Sequence, residues 1–305
     1  MSRLAAGLAL ATAGPFPAAA AGTLLMPLWP EGVPNGKAGL GPNRVDEDGR
    51  TINITEPSLA FYPPAVDRAN GSAVIVCPGG GYVRQSTRRE GEQYAQWLGT
   101  LGIAAFVLTY RQREFGHPAP LQDVLRAVRM VRSEAARLGL RSDRIGVMGS
   151  SAGGHLAATA GTLFDHPLGR TGAALDAVSA RPDFLLLMYP VITMAGAAAH
   201  AGSRKALLGE APKTAEVELM SLERQVTART PPTLLVHTQA DQSVPVENSI
   251  LFYQALTRAG VPAEMYLFEH GAHGMGMRDG LGTASHWPRR AEEWLRERGL
   301  LERAG

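Results

Sequence analysis

Ser151, Asp241 and His273 are the residues whose types and order in the chain could do chemistry. A serine hydroxyl is a weak nucleophile until a base takes its proton, and an imidazole base works best when a carboxylate orients it. The three together would carry out acyl transfer: attack on a carbonyl carbon, a covalent acyl intermediate, and release by water. Ser151 lies in Gly149-Ser150-Ser151-Ala152-Gly153, which fits G-x-S-x-G. That pattern puts the serine on a tight strand-to-helix turn, where small flanking residues avoid collisions. Centring it on Ser150 would place Met148 and Ala152 at the glycine positions, so Ser151 is the candidate nucleophile. A plain small-residue turn, made for close packing of strand on helix, would read the same way locally. The case therefore depends on the partners.

Asp241 lies in HTQADQSVP, directly after the apolar run Pro232–Gln239, and His273 lies in EHGAHGMG, directly after Ala263–Glu269. Serine, then acid, then histidine is the chain order this turn demands, with each partner just past a later strand. Chemistry in open parallel sheets gathers at that carboxyl edge. The rivals have simpler readings. His270 is nearer its strand and reads as structural, His237 as a core histidine, and His155 as helix packing. Glu247 reads as helping to start a helix, and Glu269 and Asp279 are weaker alternatives for the acid. Cys77–Tyr82, CPGGGY, follows an early apolar run, and glycines there let backbone amides approach a developing oxyanion. Gly80 and Gly81, with the amide of Ala152, are the candidate oxyanion hole; the simpler alternative is a glycine turn. Tyr82, His200 and Arg204 are candidates for lining a substrate pocket.

These residues need a scaffold that brings their loops to one edge. Apolar runs bounded by turn residues predict strands at Ser58–Pro64, Ser72–Gly81, Gly102–Tyr110, Arg144–Ser150, Asp183–Pro190, Pro232–Gln239 and Ala263–Glu269. Between them, helical spacing of apolar residues predicts helices over Glu90–Thr100, Pro120–Leu138, Glu247–Ala259 and His286–Arg298. Apolar strands alternating with amphipathic helices imply a mostly parallel sheet covered on both faces, the α/β class. Residues 191–230 interrupt the alternation with short helical pieces, Ser203–Leu208 and Thr214–Arg224, and read as a lid-like insertion or part of a site wall. Gly22 to about Asn53 reads as an extended leader packed on the domain, or as a loop.

The chain has 305 residues, a net charge of +2 and no Lys/Arg-rich run, so nothing points to nucleic acid. Its single cysteine, Cys77, excludes an intrachain disulfide. H-E-x-x-H, P-loop and G-x-G-x-x-G patterns are absent, and no metal or cofactor is expected. The first residues, MSRLAAGLALATAGPFPAAAAG, carry one charge at Arg3, an apolar run over Leu4–Ala13, and A-x-A at Ala18/Ala20 or Ala19/Ala21. That is the layout of a secretory signal peptide over residues 1–21, followed by one domain over 22–305. It implies a periplasmic or secreted protein; the simpler alternative is a disordered, Ala-rich cytoplasmic start. The apolar run is too short to span a bilayer, so no stable membrane anchor is expected.

With these segments assembled, the chain resembles the α/β-hydrolase fold, in the esterase branch with a Gly-rich oxyanion loop. It is similar more closely to bacterial acetyl-esterase and acetylxylan-esterase-like proteins, related to feruloyl-esterase-like hydrolases. Pro27–Gly36 (PLWPEGVPNG), CPGGGY, Leu108–Arg111 (LTYR), Pro118–Asp123 (PAPLQD), RIGVMGSSAGGHLA, RPDFLLLMYPVITM, PPTLLVHTQADQSVPVENS and His270–Gly276 (HGAHGMG) carry the likeness. The resemblance implies Ser151, Asp241 and His273 as a triad and carboxylester hydrolysis as the activity. With export, it implies a small-molecule or oligosaccharide ester as partner, an acetylated plant polysaccharide above all. Feruloyl or short-chain carboxylesterase activity is the alternative, ahead of a dipeptidyl-peptidase-like hydrolase or a non-catalytic binding protein. Two departures stand out: Pro78 holds a place where many such esterases have histidine, and Ser150 fills the variable position before the nucleophile. Arg111 and Asp123 are expected as a buried structural pair.

Overall fold

A computed structural model describes residues 24–303. The expected signal segment, residues 1–21, lies outside the described residues. Eight strands form one sheet: β1 (Leu24–Pro27), β4 (Ser58–Tyr62), β5 (Ala73–Cys77), β6 (Ala104–Thr109), β7 (Ile145–Ser150), β8 (Phe184–Met188), β9 (Thr233–Thr238) and β10 (Ala263–Phe268). Their spatial order is β1-β4-β6-β5-β7-β8-β9-β10. β1 pairs antiparallel with β4, and β4 antiparallel with β6, while the pairings from β6 through β10 are parallel. A two-stranded ribbon, β2 (Arg44–Val45) and β3 (Thr51–Ile52), stands apart.

The sheet is buried on both faces, and the strand residues divide accordingly. On β5, Ala73, Ile75 and Cys77 join one apolar cluster while Val74 and Val76 join the other. The first cluster is completed by α2 (Ala119–Ser133), α3 (Ala152–Thr162) and α6 (Glu247–Arg258). The second is completed by α1 (Gln93–Thr100) and α7 (Trp287–Glu297), through Tyr94, Leu98, Trp287, Trp294 and Leu295. This is why the inner strands read as continuous apolar runs and α1, α6 and α7 as one-sided helices, while α3 is buried all round.

The leader is tied down more firmly than its composition suggests. β1 is an edge strand whose residues are largely exposed, with Leu25 62% exposed, so it shows no apolar alternation to detect. Beyond it, Leu28 and Trp29 enter the core. Arg111 and Asp123 are both 0% exposed and joined by Nη2–Oδ1 at 2.8 Å and Nε–Oδ2 at 3.0 Å. Asp123 also accepts from the indole of Trp29 at 2.7 Å, and Arg111 donates to the Pro34 carbonyl at 2.6 Å. The pair locks the leader to the start of α2.

The order of the strands positions the site. The chain leaves β5 for β6 on one side and later enters β7 on the other, so the connections after β5 and β7 diverge at their carboxyl ends. Such a switch point opens a crevice without any side chain being removed. The loop Pro78–Gly81 and the bend at Ser151 both stand there. Residues 191–230 carry α4 (Ala201–Leu208) and α5 (Thr214–Leu219). Leu207, Val217, Met220 and Leu222 seat this insertion in the core, and Asn248 Oδ1 accepts from the Ile192 and Thr193 amides at 2.8 and 3.1 Å. It forms a wall of the crevice.

Candidate active site

Ser151 occupies φ 55°, ψ −123°, between the end of β7 and the first residue of α3. Side chains rarely adopt that conformation, which costs on the order of 1–3 kcal/mol and persists only where the surroundings enforce it. Here the enforcement is visible. The Ser151 amide donates to the Met188 carbonyl at 3.0 Å, and its carbonyl accepts from the Val191 amide at 3.0 Å, so the end of β8 and the segment after it hold both sides of the bend. A Cβ on Gly149 would meet the Gly153 carbonyl oxygen at 2.0 Å, and one on Gly153 would meet that of Cys77 at 2.1 Å. The flanking glycines are there because backbone touches backbone.

The two serines are not equivalent. Ser150 is 0% exposed, and its hydroxyl lies 3.1 Å from that of Tyr94, beneath the sheet edge. Ser151 Oγ opens onto the crevice and lies 2.8 Å from His273 Nε2. His273 Nδ1 lies 2.6 Å from Asp241 Oδ2. A carboxylate can only accept, so Nδ1 carries the imidazole proton and Nε2 is left to accept from the serine hydroxyl.

Asp241 is 6% exposed. Burial opposes its ionisation. The hydrogen bonds from His237, His273 and the Val244 amide outweigh that and hold its carboxyl well below the usual range. Oδ1 accepts from the Ser243 and Val244 amides, each at 2.9 Å, and His237 Nε2 stands 3.4 Å from Oδ2. His237 is thus a core histidine, bonded through Nδ1 to Ser249 at 2.8 Å, that also backs the acid. His270 is turned outward against Glu269 and takes no part.

Residues 59–256 match the BD-FAE family. The chain belongs to the BD-FAE family. A solved structure of an acetyl ester-xyloside bifunctional hydrolase from Caldicellulosiruptor lactoaceticus is 40% identical, with a TM-score of 0.82, over 91% of this chain and 97% of that one. An endo-1,4-beta-xylanase B of Butyrivibrio fibrisolvens is 38% identical over 72% of this chain. An acetylxylan esterase of Xylanibacter ruminicola is 32% identical over 74% of it. The chain spans 36% and 46% of the length of these two relatives.

In this BD-FAE chain the glycine loop lies against the serine bend: a Cβ on Gly79 would sit 3.0 Å from Ser151 Cβ. Gly80 and Gly81 line the same crevice as Ser151 and His273, a cavity of about 460 Å³. The amides of Gly80, Gly81 and Ala152 have no acceptor among the described residues. Ala152 opens α3, where an amide has no intrahelical partner in any case.

Of the candidates for substrate contact, the structure brings one to the crevice. His200 lines it and caps α4, its Nδ1 2.8 Å from Ser203 Oγ. Tyr82 is corrected: it is 1% exposed, its hydroxyl 2.8 Å from His155 Nδ1, because φ 59° at Tyr82 turns the side chain into the core. Arg204 is also corrected. One turn into α4, it is not among the residues lining the crevice. His155 in turn donates from Nε2 to the Met220 carbonyl at 2.9 Å, clamping α3 to the insertion.

Sequence reasoning missed Glu90. It lies in a π-helical turn, Arg88–Glu92, that precedes α1. Single π-turns recur at functional sites. Its Oε2 accepts from the Gly79 amide at 2.9 Å and its Oε1 from the Tyr189 hydroxyl at 2.8 Å. The Tyr189 hydroxyl accepts from the Gly276 amide at 3.2 Å, and its ring meets that of His273 edge-on at 5.2 Å between centroids. One buried carboxylate therefore links the glycine loop to the histidine loop. Burial pushes its pKa up, opposed by the Tyr189 and Gly79 hydrogen bonds and by the charges of His273 and Arg278. Also missed were Arg50, Arg84, Arg89 and Arg278, which line the crevice. For Arg84 and Arg89 the signal available was their place within ten residues of the glycines, in GGGYVRQSTRREGE.

Proposed function

We propose that this chain is a serine ester hydrolase that removes acetyl groups from acetylated xylan or xylo-oligosaccharides through an acyl-enzyme. The observation that carries the reading is the unbroken line from Asp241 Oδ2 through His273 to Ser151 Oγ, 2.6 and 2.8 Å, on a strained bend at the sheet's switch point. His273 Nε2 takes the Ser151 proton as Oγ attacks the ester carbonyl. The amides of Gly80, Gly81 and Ala152, free of acceptors among the described residues, hold the negative oxygen. His273 then gives its proton to the leaving sugar oxygen, and water repeats the steps to release acetate. Asp241, kept ionised, stabilises the imidazolium between them.

The substrate reading is supported by the relatives, whose names carry acetyl esters and xylan chemistry. Residues 1–21 serve in this reading as a signal for export and 22–305 as the catalytic domain, acting in the periplasm or outside the cell. Acetate release from acetylated xylo-oligosaccharides, compared with turnover of aryl acetates and methyl ferulate, tests the substrate. A higher kcat/KM on the acetylated sugar is expected. Faster hydrolysis of methyl ferulate would move the activity to feruloyl esters.

A further inference from the structure

The crevice over Ser151 is lined by four arginines from four separate segments. Arg50 comes from the turn between β2 and β3, Arg84 follows the glycine loop, Arg89 lies in the π-helical turn, and Arg278 follows the histidine loop. Among the described residues the only carboxylate in that lining is Glu90, which is 5% exposed and occupied by Gly79 and Tyr189. Asp241 lies behind His273 with both oxygens taken. The net charge of the whole chain is only +2, so this is a local concentration.

Some surface arginines elsewhere meet acids: Arg141 with Asp143, Arg289 and Arg290 with Glu293, Arg296 with Glu292. Arg84 and Arg89 have no acidic partner among the described residues. Arg278 donates only to the Met275 and Gly274 carbonyls, at 3.2 and 3.0 Å, which fixes its guanidinium without offsetting its charge. Arg50 meets the exposed Asp48 at 2.7 Å, a surface pair that a ligand can replace at a cost of about 1 kcal/mol or less.

We infer that the crevice selects an ester whose alcohol portion carries a carboxylate, namely an acetylated xylo-oligosaccharide bearing a uronic acid. This rests on the acetyl-esterase reading above in one respect: an acetyl group has no charge of its own, so the anion must be on the sugar. Guanidinium groups suit a carboxylate because two parallel N–H donors match its two oxygens. A neutral xylo-oligosaccharide would leave these charges unused, and His200, Ser86 and Ser243 would suffice for its hydroxyls.

The test is calorimetric titration of the full protein with xylotriose and with the same sugar bearing one uronic acid, both without acetyl groups, so that binding is read apart from turnover. The acidic sugar is expected to bind about tenfold tighter at low ionic strength, a preference that shrinks toward unity as sodium chloride screens it. Arg84→Gln with Arg89→Gln should remove most of that preference at an unchanged melting temperature. Arg141→Gln, which changes a paired surface arginine, should keep it. Equal binding of the two sugars, or a preference that survives the double variant and salt, overturns the inference. So does inorganic phosphate competing far better than chloride at matched ionic strength, which would make this a phosphate site. Failure of the esterase reading shows up separately, as wild-type protein that turns over no acetyl ester.

Discussion

Replacing Glu90 by alanine removes two buried acceptors at once. The Gly79 amide, now 2.9 Å from Oε2, and the Tyr189 hydroxyl, now 2.8 Å from Oε1, both lose their partner. Tyr189 can turn to the Tyr94 hydroxyl at 3.1 Å, but the Gly79 amide has no substitute in place. An orphaned buried donor costs about 1–3 kcal/mol. The loop can relieve that cost by moving, and Gly80 and Gly81 then leave their positions in the crevice beside Ser151. A displacement of about 1 Å in a positioning group costs roughly a hundredfold in rate. Glu90→Ala should therefore lower kcat on p-nitrophenyl acetate about a hundredfold with KM little changed, because the oxyanion donors act in the transition state and not on the bound ester. Glu90→Gln keeps one acceptor for Gly79 and offers an NH₂ to the Tyr189 oxygen. It should lose about tenfold or less, in line with exchanging charge-assisted hydrogen bonds for neutral ones. Steady-state kinetics beside urea unfolding separates the cases. A Glu90→Ala protein that loses stability yet keeps the wild-type kcat would refute the reasoning, since Glu90 would then only be holding the fold.

Three further outcomes follow from other parts of the molecule. Asp123→Asn leaves the Arg111 guanidinium buried beside a neutral amide and should cost about 3–5 kcal/mol in urea unfolding, with kcat per folded molecule unchanged; an Arg111→Ala variant that kept its stability and lost only activity would contradict the structural role. Burial lowers the His155 pKa to about 4, and that of His117 likewise to about 4. The unfolded chain takes these protons below about pH 6.5 while the folded protein does not, so stability should fall as pH drops from 6.5 to 4, by up to about 1.4 kcal/mol per pH unit for each histidine; for His155, a His155→Gln variant should show a shallower slope over that window. Gly153→Ala puts a Cβ 2.1 Å from the Cys77 carbonyl oxygen, so α3 must move off β5. That should cost about 1–3 kcal/mol in thermal or urea unfolding, together with a large part of the activity.

The parts legible in the sequence are those whose signal is local. β5 through β9 read as apolar runs because both faces of the sheet are covered there, and Asp241 and His273 follow β9 and β10 closely. β1 was illegible because an exposed edge strand needs no apolar alternation. Glu90 was illegible because its partners, Gly79 and Tyr189, are brought to it only by the fold, 11 and 99 residues away in the chain. Tyr82 was misplaced because its aromatic ring beside the glycine loop suggested a pocket wall. Only the backbone turn at that residue determines that it points inward to His155.

The central claim is that Ser151, and not its neighbour, attacks the ester. Turnover of p-nitrophenyl acetate by Ser151→Ala and Ser150→Ala, measured side by side on proteins with matched melting curves, tests it directly. Ser150→Ala gives up a 3.1 Å contact with Tyr94 and should stay within about tenfold of the wild-type rate. Ser151→Ala should lose at least about ten-thousandfold in kcat. Equal losses in the two variants, or substantial turnover by Ser151→Ala, would contradict the account.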